Sequence, residues 1–386
     1  MPPGFSFFQP RRVFLDLPPE VYALILSYLS PLDVIRFGGV DQKRKTIVES
    51  YFWSEFIQLM VSYFSEKELL EFRLIQAKTG TLISGSTALQ FLQRTTYPNS
   101  DLDIYTPFRY GREVGEFLLR IGYQFCPRAS QTKPFHEITE DIIHEVADDE
   151  IYVCRGIIQV FDFHRNGKKI QVMSARNSPM DIILAYHCTT VMNIITATHT
   201  YSLYPRTTFH QKRGLIISTN GSSQDAGRQK YIDRGWDLFS ELTVFEVTNP
   251  YSEFQAHSLR WVGDRRCLSV KLPPMELPFA PYPVTVNSWQ MTYGWNCTVK
   301  IERESVDTDR FEFCVFQGAK LCRVLDRLED LWTTALDKHR LKTVDDVFAA
   351  IVERYYKRCT SVSSTDAALE WLEEPTVSLE MLDDIF

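Results

Sequence analysis

Two adjacent residues, Asn166 and Gly167, constrain this chain more than any others, because they stand between the runs "IIQVFDFHR" and "KKIQVMSA". Both runs are rich in β-branched and aromatic residues, and Asn-Gly is the pair that best tolerates the left-handed backbone of a type I′ turn. The sequence therefore predicts an antiparallel hairpin. A two-residue turn also sets the register, with Arg165 opposite Lys168, His164 opposite Lys169, Phe163 opposite Ile170 and Asp162 opposite Gln171. Asp162 and Gln171 then share one face.

A second pattern lies upstream, in "LISGSTALQFLQRTTYPNSDLDIYTP" from Leu82 to Pro107. After a helix from Ser65 to about Lys78, ended by Gly80, the run Thr81 to Ser84 reads as a short strand. Gly85 allows close backbone approach to a ligand, Ser86 offers a hydroxyl, and Thr87 to Gln93 form a helix whose first N–H groups favour an anion. Fourteen residues separate Ser86 from Asp101, where "DLDIY" alternates acidic and apolar, so on a strand Asp101 and Asp103 share a face. Two neighbouring carboxylates repel unless a cation lies between them, and hard oxygen ligands beside a phosphate cradle suit Mg2+.

The N-terminal stretch "LPPEVYALILSYLSPLDVIRFGGVDQKRKTIVESYFWSEF" predicts three helices. Pro18 and Pro19 suit a first turn, with Val21, Leu24, Ile25, Tyr28 and Leu29 on one face. Ser30 caps a second helix that Gly38 and Gly39 stop, and Asp41 caps a longer third. Such a unit is too small for much core of its own and gains stability by docking on the next module.

At 386 residues the chain exceeds one ordinary core, and 44% apolar with 13% aromatic content is ample for packed modules. No apolar run approaches the roughly 18 residues of a membrane span. No secretory leader is legible, so a cytoplasmic or nuclear location is expected. The eight cysteines form no C-x-x-C pair and read as reduced core thiols rather than zinc ligands or disulfides. The net charge of -7 resides in an acidic tail from Ser361 to Phe386, which leaves the rest near neutral and argues against strong nucleic-acid binding.

These motifs carry two resemblances. Leu17, Pro18, Glu20, Leu29, Ser30, Asp33, Val40 and Trp53 match the outline of the F-box, although Asp41-Gln42-Lys43-Arg44-Lys45 follows Val40 where F-boxes often carry Cys or Ser. The resemblance implies docking to the Skp-type adaptor of a cullin ubiquitin ligase through Leu17, Pro18, Val21, Ile25, Leu29 and Pro31. The Gly85-Ser86 turn and the Asp101/Asp103 strand resemble nucleotidyltransferases of the DNA polymerase β type. That family implies nucleotide triphosphate at Gly85, Ser86, Asp101 and Asp103, Mg2+ on Asp101 and Asp103, and a third carboxylate on a later strand. By the family's order that position is Gln171, which brings no charge; Asp162 opposite it is the candidate stand-in as catalytic base.

Downstream, Ser178 and Pro179 predict a helix running through "MDIILAYHCTTVMNIIT", on which His187 and Cys188 diverge and serve packing. The acidic run from Glu137 to Glu150, with His136 and His144, reads as a solvated face. Asn220 to Gly227 reads as an exposed loop, followed by strands near Leu242 to Val247, Leu259 to Leu272, Val284 to Ile301 and Phe311 to Phe316, then helices near Ala319 to His339 and Val344 to Tyr356. Arg213, Arg228, Arg260, Arg265 and Arg266 are candidate phosphate contacts. The strings "SLYPRTTF", "YIDRGW" and "RWVGD" resemble a group of fungal F-box proteins without suggesting chemistry.

The expected fold class is α+β: an N-terminal three-helix F-box (13–60), a connecting helix (61–79), a nucleotidyltransferase-like mixed α/β domain (80–200), a C-terminal α/β extension (201–358) and an acidic, flexible tail (359–386), either a solubilising end or a segment that folds on a partner. The expected function is the substrate-recruiting subunit of a Skp-cullin ubiquitin ligase, its nucleotidyltransferase-like domain a degenerate pseudoenzyme that recognises a protein target or senses a nucleotide. The alternative is an active Mg2+-dependent nucleotidyltransferase moving a nucleoside monophosphate to protein or RNA.

Overall fold

The computed structural model describes residues 17–98, 100–129, 131, 135, 156–217, 222–294, 299–316 and 344–361. The tail beyond Ser361, the acidic run 137–150 and the helix expected over 319–339 lie outside them. The three N-terminal helices are α1 (Pro19–Tyr28), α2 (Pro31–Gly38) and α3 (Gln42–Met60). Their starts follow the sequence: the Ser30 hydroxyl accepts from the Asp33 amide, and the Asp41 carboxylate from the Arg44 amide. Next comes α4 (Glu66–Thr79), opened by a Ser65/Glu68 capping box and closed by Gly80 at φ 77°.

The body begins with β1 (Leu82–Ser84), α5 (Gly85–Gln93), β2 (Leu102–Pro107), α6 (Gly111–Arg120) and β3 (Gln124–Cys126). The expected hairpin follows as β4 (Ile157–Arg165) and β5 (Lys168–Ala175), in the expected register, with Asn166 at φ 51° and Gly167 at φ 74°. Then come β6 (Asn193–Ile195), β7 (His199–Ser202), β8 (Arg213–Leu215), β9 (Asp237–Phe239), β10 (Leu259–Trp261), β11 (Leu268–Lys271), β12 (Ser288–Tyr293), β13 (Val299–Glu302), β14 (Glu304–Asp307) and β15 (Glu312–Val315). Among the described residues the main sheet has eight strands, in the order β11-β7-β6-β1-β2-β5-β4-β3, and one parallel pair, β2 with β5. The protein is thus α+β with a mixed sheet.

The helical module is clamped to this body. Phe52 and Phe56 of α3 meet Phe91 of α5 edge-on, with ring centroids 5.9 Å apart in each case. Arg94, just past α5, donates to the Leu26 carbonyl at 2.5 Å and to the Leu29 carbonyl, satisfying orphan acceptors at the end of α1. Trp53 donates to the Lys271 carbonyl on β11 at 3.2 Å. The rigid docking expected of an undersized module is therefore present.

The structure departs from the sequence expectations at several places. The helix from Pro179 stops at Leu184, because the β-branched run Thr189-Thr190-Val191 and Ile194-Ile195 favours a short 3₁₀ turn and then β6, which pairs with β1. His187 and Cys188 are buried as expected, but in extended chain rather than on a helix. The loop expected over Asn220 to Gly227 is instead, from Ser222, a helix to Asp233, anchored by buried Tyr231. The strand expected near Leu242 is a helix, Val244–Thr248, because Thr243 and Glu246 form a capping box. The boundary expected at 200/201 falls within β7, and β11 extends the same sheet beside it. The cysteines also divide: Cys188 and Cys314 are buried, while Cys126 is exposed.

The downstream strings form a structural lock. Arg260 of "RWVGD" is buried, pairs with Asp264 at 2.5 Å, and donates to the carbonyls of Glu253 at 3.0 Å and Leu203 at 2.8 Å. Glu253 accepts from the Arg206 and Thr207 amides of "SLYPRTTF" at 2.7 and 2.9 Å. Trp236 of "YIDRGW" donates to the Thr208 carbonyl at 3.0 Å. Each string thus supplies donors or acceptors that the others need inside the core. No helix among the described residues is long and apolar enough to cross a membrane.

Candidate functional site

Where β1, β2, β5, β4 and β3 lie side by side, one row of paired residues crosses the sheet. Ser84 pairs with Asp103, Asp103 with Gln171, Gln171 with Asp162, and Asp162 with Cys126. Paired residues point to the same side of a sheet, so these side chains form a line. Within it, Gln171 Nε2 donates to Asp162 Oδ1 at 2.9 Å.

The Gly85-Ser86 bend lies against this row. Gly85 and Ser86 open α5 two residues earlier than expected, with Gly85 at φ 65°. A Cβ on Gly85 would meet Asp103 Oδ2 at 2.4 Å, so only glycine lets bend and carboxylate touch. Ser86 is buried, and Thr87 donates its hydroxyl to the Asp101 carbonyl at 3.0 Å. Gly85, Ser86, Asp101 and Asp103 are therefore neighbours.

Asp101 stands immediately before β2 and engages Lys169, whose Nζ is 3.2 Å from Asp101 Oδ2 and 3.5 Å from Asp162 Oδ1. Lys169 precedes Gln171 by two residues on β5, hence its place on the same face. From beyond β3, Arg128 donates to Asp162 through Nε at 3.1 Å and Nη2 at 3.3 Å. Lys230, on the helix Ser222–Asp233, adds a third positive charge that acts on Asp103.

The charges settle unevenly. Burial, then the charge of Asp101, pushes the Asp103 carboxyl up to about 7 against the opposing pull of Lys230 and Lys169. Asp162 is the reverse case: burial raises it, but hydrogen bonds from Gln171 and Arg128, with the charges of Arg128 and Lys169, hold it below the ordinary carboxylate value. Asp162, expected as the base, thus meets cationic and amide donors already on its carboxylate, which makes it a poor proton acceptor.

A divalent cation does not fit these donors. The Lys169 ammonium pairs with Asp101, one of the two carboxylates expected to hold Mg2+, and with Asp162, and like charges repel at such separations. Among the described residues, no group of three or more His, Cys, Asp or Glu side chains is disposed to hold a metal ion. Sequence reading missed Lys169, Arg128 and Lys230. Strand alternation gave a signal for Lys169, two residues from Gln171; for Lys230 there was none, since the start of its helix, to Gly227, read as a loop.

On the N-terminal module, Leu17, Ile25 and Leu29 are half-buried, while Pro18 and Val21 are exposed. Pro31 is buried at the start of α2, which corrects its place among the surface contacts. Leu24 (58% exposed) and Tyr28 (84% exposed) present more apolar surface than the residues singled out from the sequence. Four candidate phosphate-contact arginines are engaged within the chain: Arg213 with Glu246, Arg228 with Asp225, Arg260 with Asp264, and Arg266 with Ser258 and Gln255.

No protein-family model, curated protein or solved structure matches the chain.

Proposed function

We propose that the chain is an F-box subunit of a Skp-cullin ubiquitin ligase, whose nucleotidyltransferase-like body recognises a protein target and performs no nucleotidyl transfer. The observation that carries the reading is the two-sided apolar character of α1. The helix buries Tyr22 and Leu26 inward, yet leaves Val21, Leu24 and Tyr28 exposed on a module already clamped to the body. A second apolar stripe that packs on nothing among the described residues suits a partner helix. The N-cap at Ser30, which accepts from the Asp33 amide, agrees with the Ser30 and Asp33 positions of the F-box outline.

The absence of chemistry in the body is supported by the neutral Gln171 in the polar row and by the donors that occupy Asp162. Active nucleotidyl transfer needs a base and a metal, and these residues offer neither readily.

The test pairs the purified full chain with purified Skp-type adaptor, comparing wild type with a Val21→Asp, Leu24→Asp variant, beside an assay of labelled nucleotide triphosphate turnover with Mg2+. Capture lost in the variant, with no turnover, is the expected result. Turnover abolished by Asp101→Ala, Asp103→Ala would replace the reading with the enzymatic one. Failure of the wild type to bind adaptor would remove the ligase role.

A further inference from the structure

We propose that the Lys169 ammonium is a tethered substitute for a divalent cation, so that the Asp101, Asp103 and Asp162 cluster is neutralised from within the chain and excludes Mg2+ unless Lys169 is removed. The inference rests on the nucleotidyltransferase-like reading of the body, and goes beyond it by naming the residue that closes the site to metal.

Three relationships carry it. The ammonium is within ion-pair distance of two carboxylates on different strands, Asp101 at 3.2 Å and Asp162 at 3.5 Å, the bridging position a metal takes between acidic ligands. Its backbone position is fixed by register: Leu102 pairs with Ile170 and Asp103 with Gln171, so Lys169 falls opposite the step that Asp101 occupies. Charge is covered as well. Asp101, Asp103 and Asp162 bring at most three negative charges, and Lys169, Arg128 and Lys230 bring three positive ones. A dication added to this set would bring net positive charge into a half-buried site, a costly change.

Swinging away to admit a metal would strip Asp162, whose side chain is 15% exposed, and the more exposed Asp101 of one partner each. Truncating Lys169 removes the ammonium and leaves the Asp101 and Asp162 carboxylates that bracket its place. That pair then offers the hard oxygen donors that Mg2+ and Mn2+ prefer, with water completing the shell.

Mn2+ binding to the full chain, read by the loss of free-ion signal in electron paramagnetic resonance, tests the proposal. Wild type is expected to leave the Mn2+ signal unchanged. Lys169→Ala is expected to bind one Mn2+ about tenfold or more tighter than wild type, and Lys169→Ala, Asp101→Asn to lose that site. Should Lys169→Ala fail to fold by circular dichroism, Lys169→Met keeps the aliphatic stem and answers the same question. Mn2+ bound by wild type and lost in Asp101→Asn, or a folded Lys169 variant that still binds none, overturns the proposal. Adaptor capture by the same variants is expected to be unchanged, so a lost docking function and a failed metal test are told apart.

Discussion

Asp103 rests its carboxylate on Gly85, so closely that a Cβ on the glycine would lie 2.4 Å from Oδ2. Because Gly85 also holds φ 65°, Gly85→Ala incurs both a clash and a left-handed backbone, and is expected to destabilise the fold by about 1–3 kcal/mol. Urea unfolding measures it. In an Asp103→Ala background the cost should shrink to the backbone part alone; equal costs in both backgrounds would show that the two residues do not touch.

The same carboxyl gives a pH signature. Its value is raised from 3.8 to about 7, so the folded chain holds the proton more tightly than the unfolded one. Its contribution is therefore fully present below about pH 4 and is lost as pH rises through about 7. Glu312, raised to about 7 by burial against the pull of Arg109, acts in the same window. Asp103→Asn should flatten part of the decline, and Asp103→Asn with Glu312→Gln most of it. An unchanged slope in both variants would place the titration elsewhere.

At acid pH the sign reverses. The hydrogen bond from Arg165, with that from the Ser65 amide, holds the Glu68 carboxyl down at about 2 despite some burial. Its stabilisation is present above about pH 4.5 and fades as pH falls toward 2. Glu68→Gln should remove this acid limb of a thermal-unfolding profile while leaving the neutral limb set by Asp103.

Arg94 is the cheapest place to loosen the N-terminal module. Its guanidinium serves the Leu26 and Leu29 carbonyls, and hydrogen bonds to charged groups contribute about 1.5–3 kcal/mol. Arg94→Met should speed amide exchange in α1 and α2 with little change in the central strands. Uniform acceleration over the whole chain would mean that module and body open together.

The buried pair Arg260 and Asp264 should show the asymmetry of desolvated charges. Asp264→Ala strands the guanidinium and is expected to cost about 3–5 kcal/mol, whereas Arg260→Met with Asp264→Leu should cost less than the single change. Thermal unfolding of the three proteins decides it.

Much of the chain was legible one neighbour at a time. Asn166-Gly167 dictated the hairpin and its register, and Ser30, Asp41, Ser65 and Gly80 marked helix ends, because turns and caps are satisfied by residues a few positions away. The strings around Arg260 and Trp236 were visible as text but silent as structure, since their partners lie tens of residues distant. Polarity misled from Ser222 to Gly227, the start of a helix that buried Tyr231 anchors.

What the sequence determined by itself was the presence of a bend, a pair of aspartates and a hairpin that sets Asp162 against Gln171. What only the tertiary structure decided was their arrangement: β2 lies parallel to β5, and this pairing brings Lys169 beside Asp101 and sets Asp103 and Asp162 on either side of Gln171. Pairing between distant strands follows from how the whole sheet buries its apolar faces, and no local backbone preference encodes that choice.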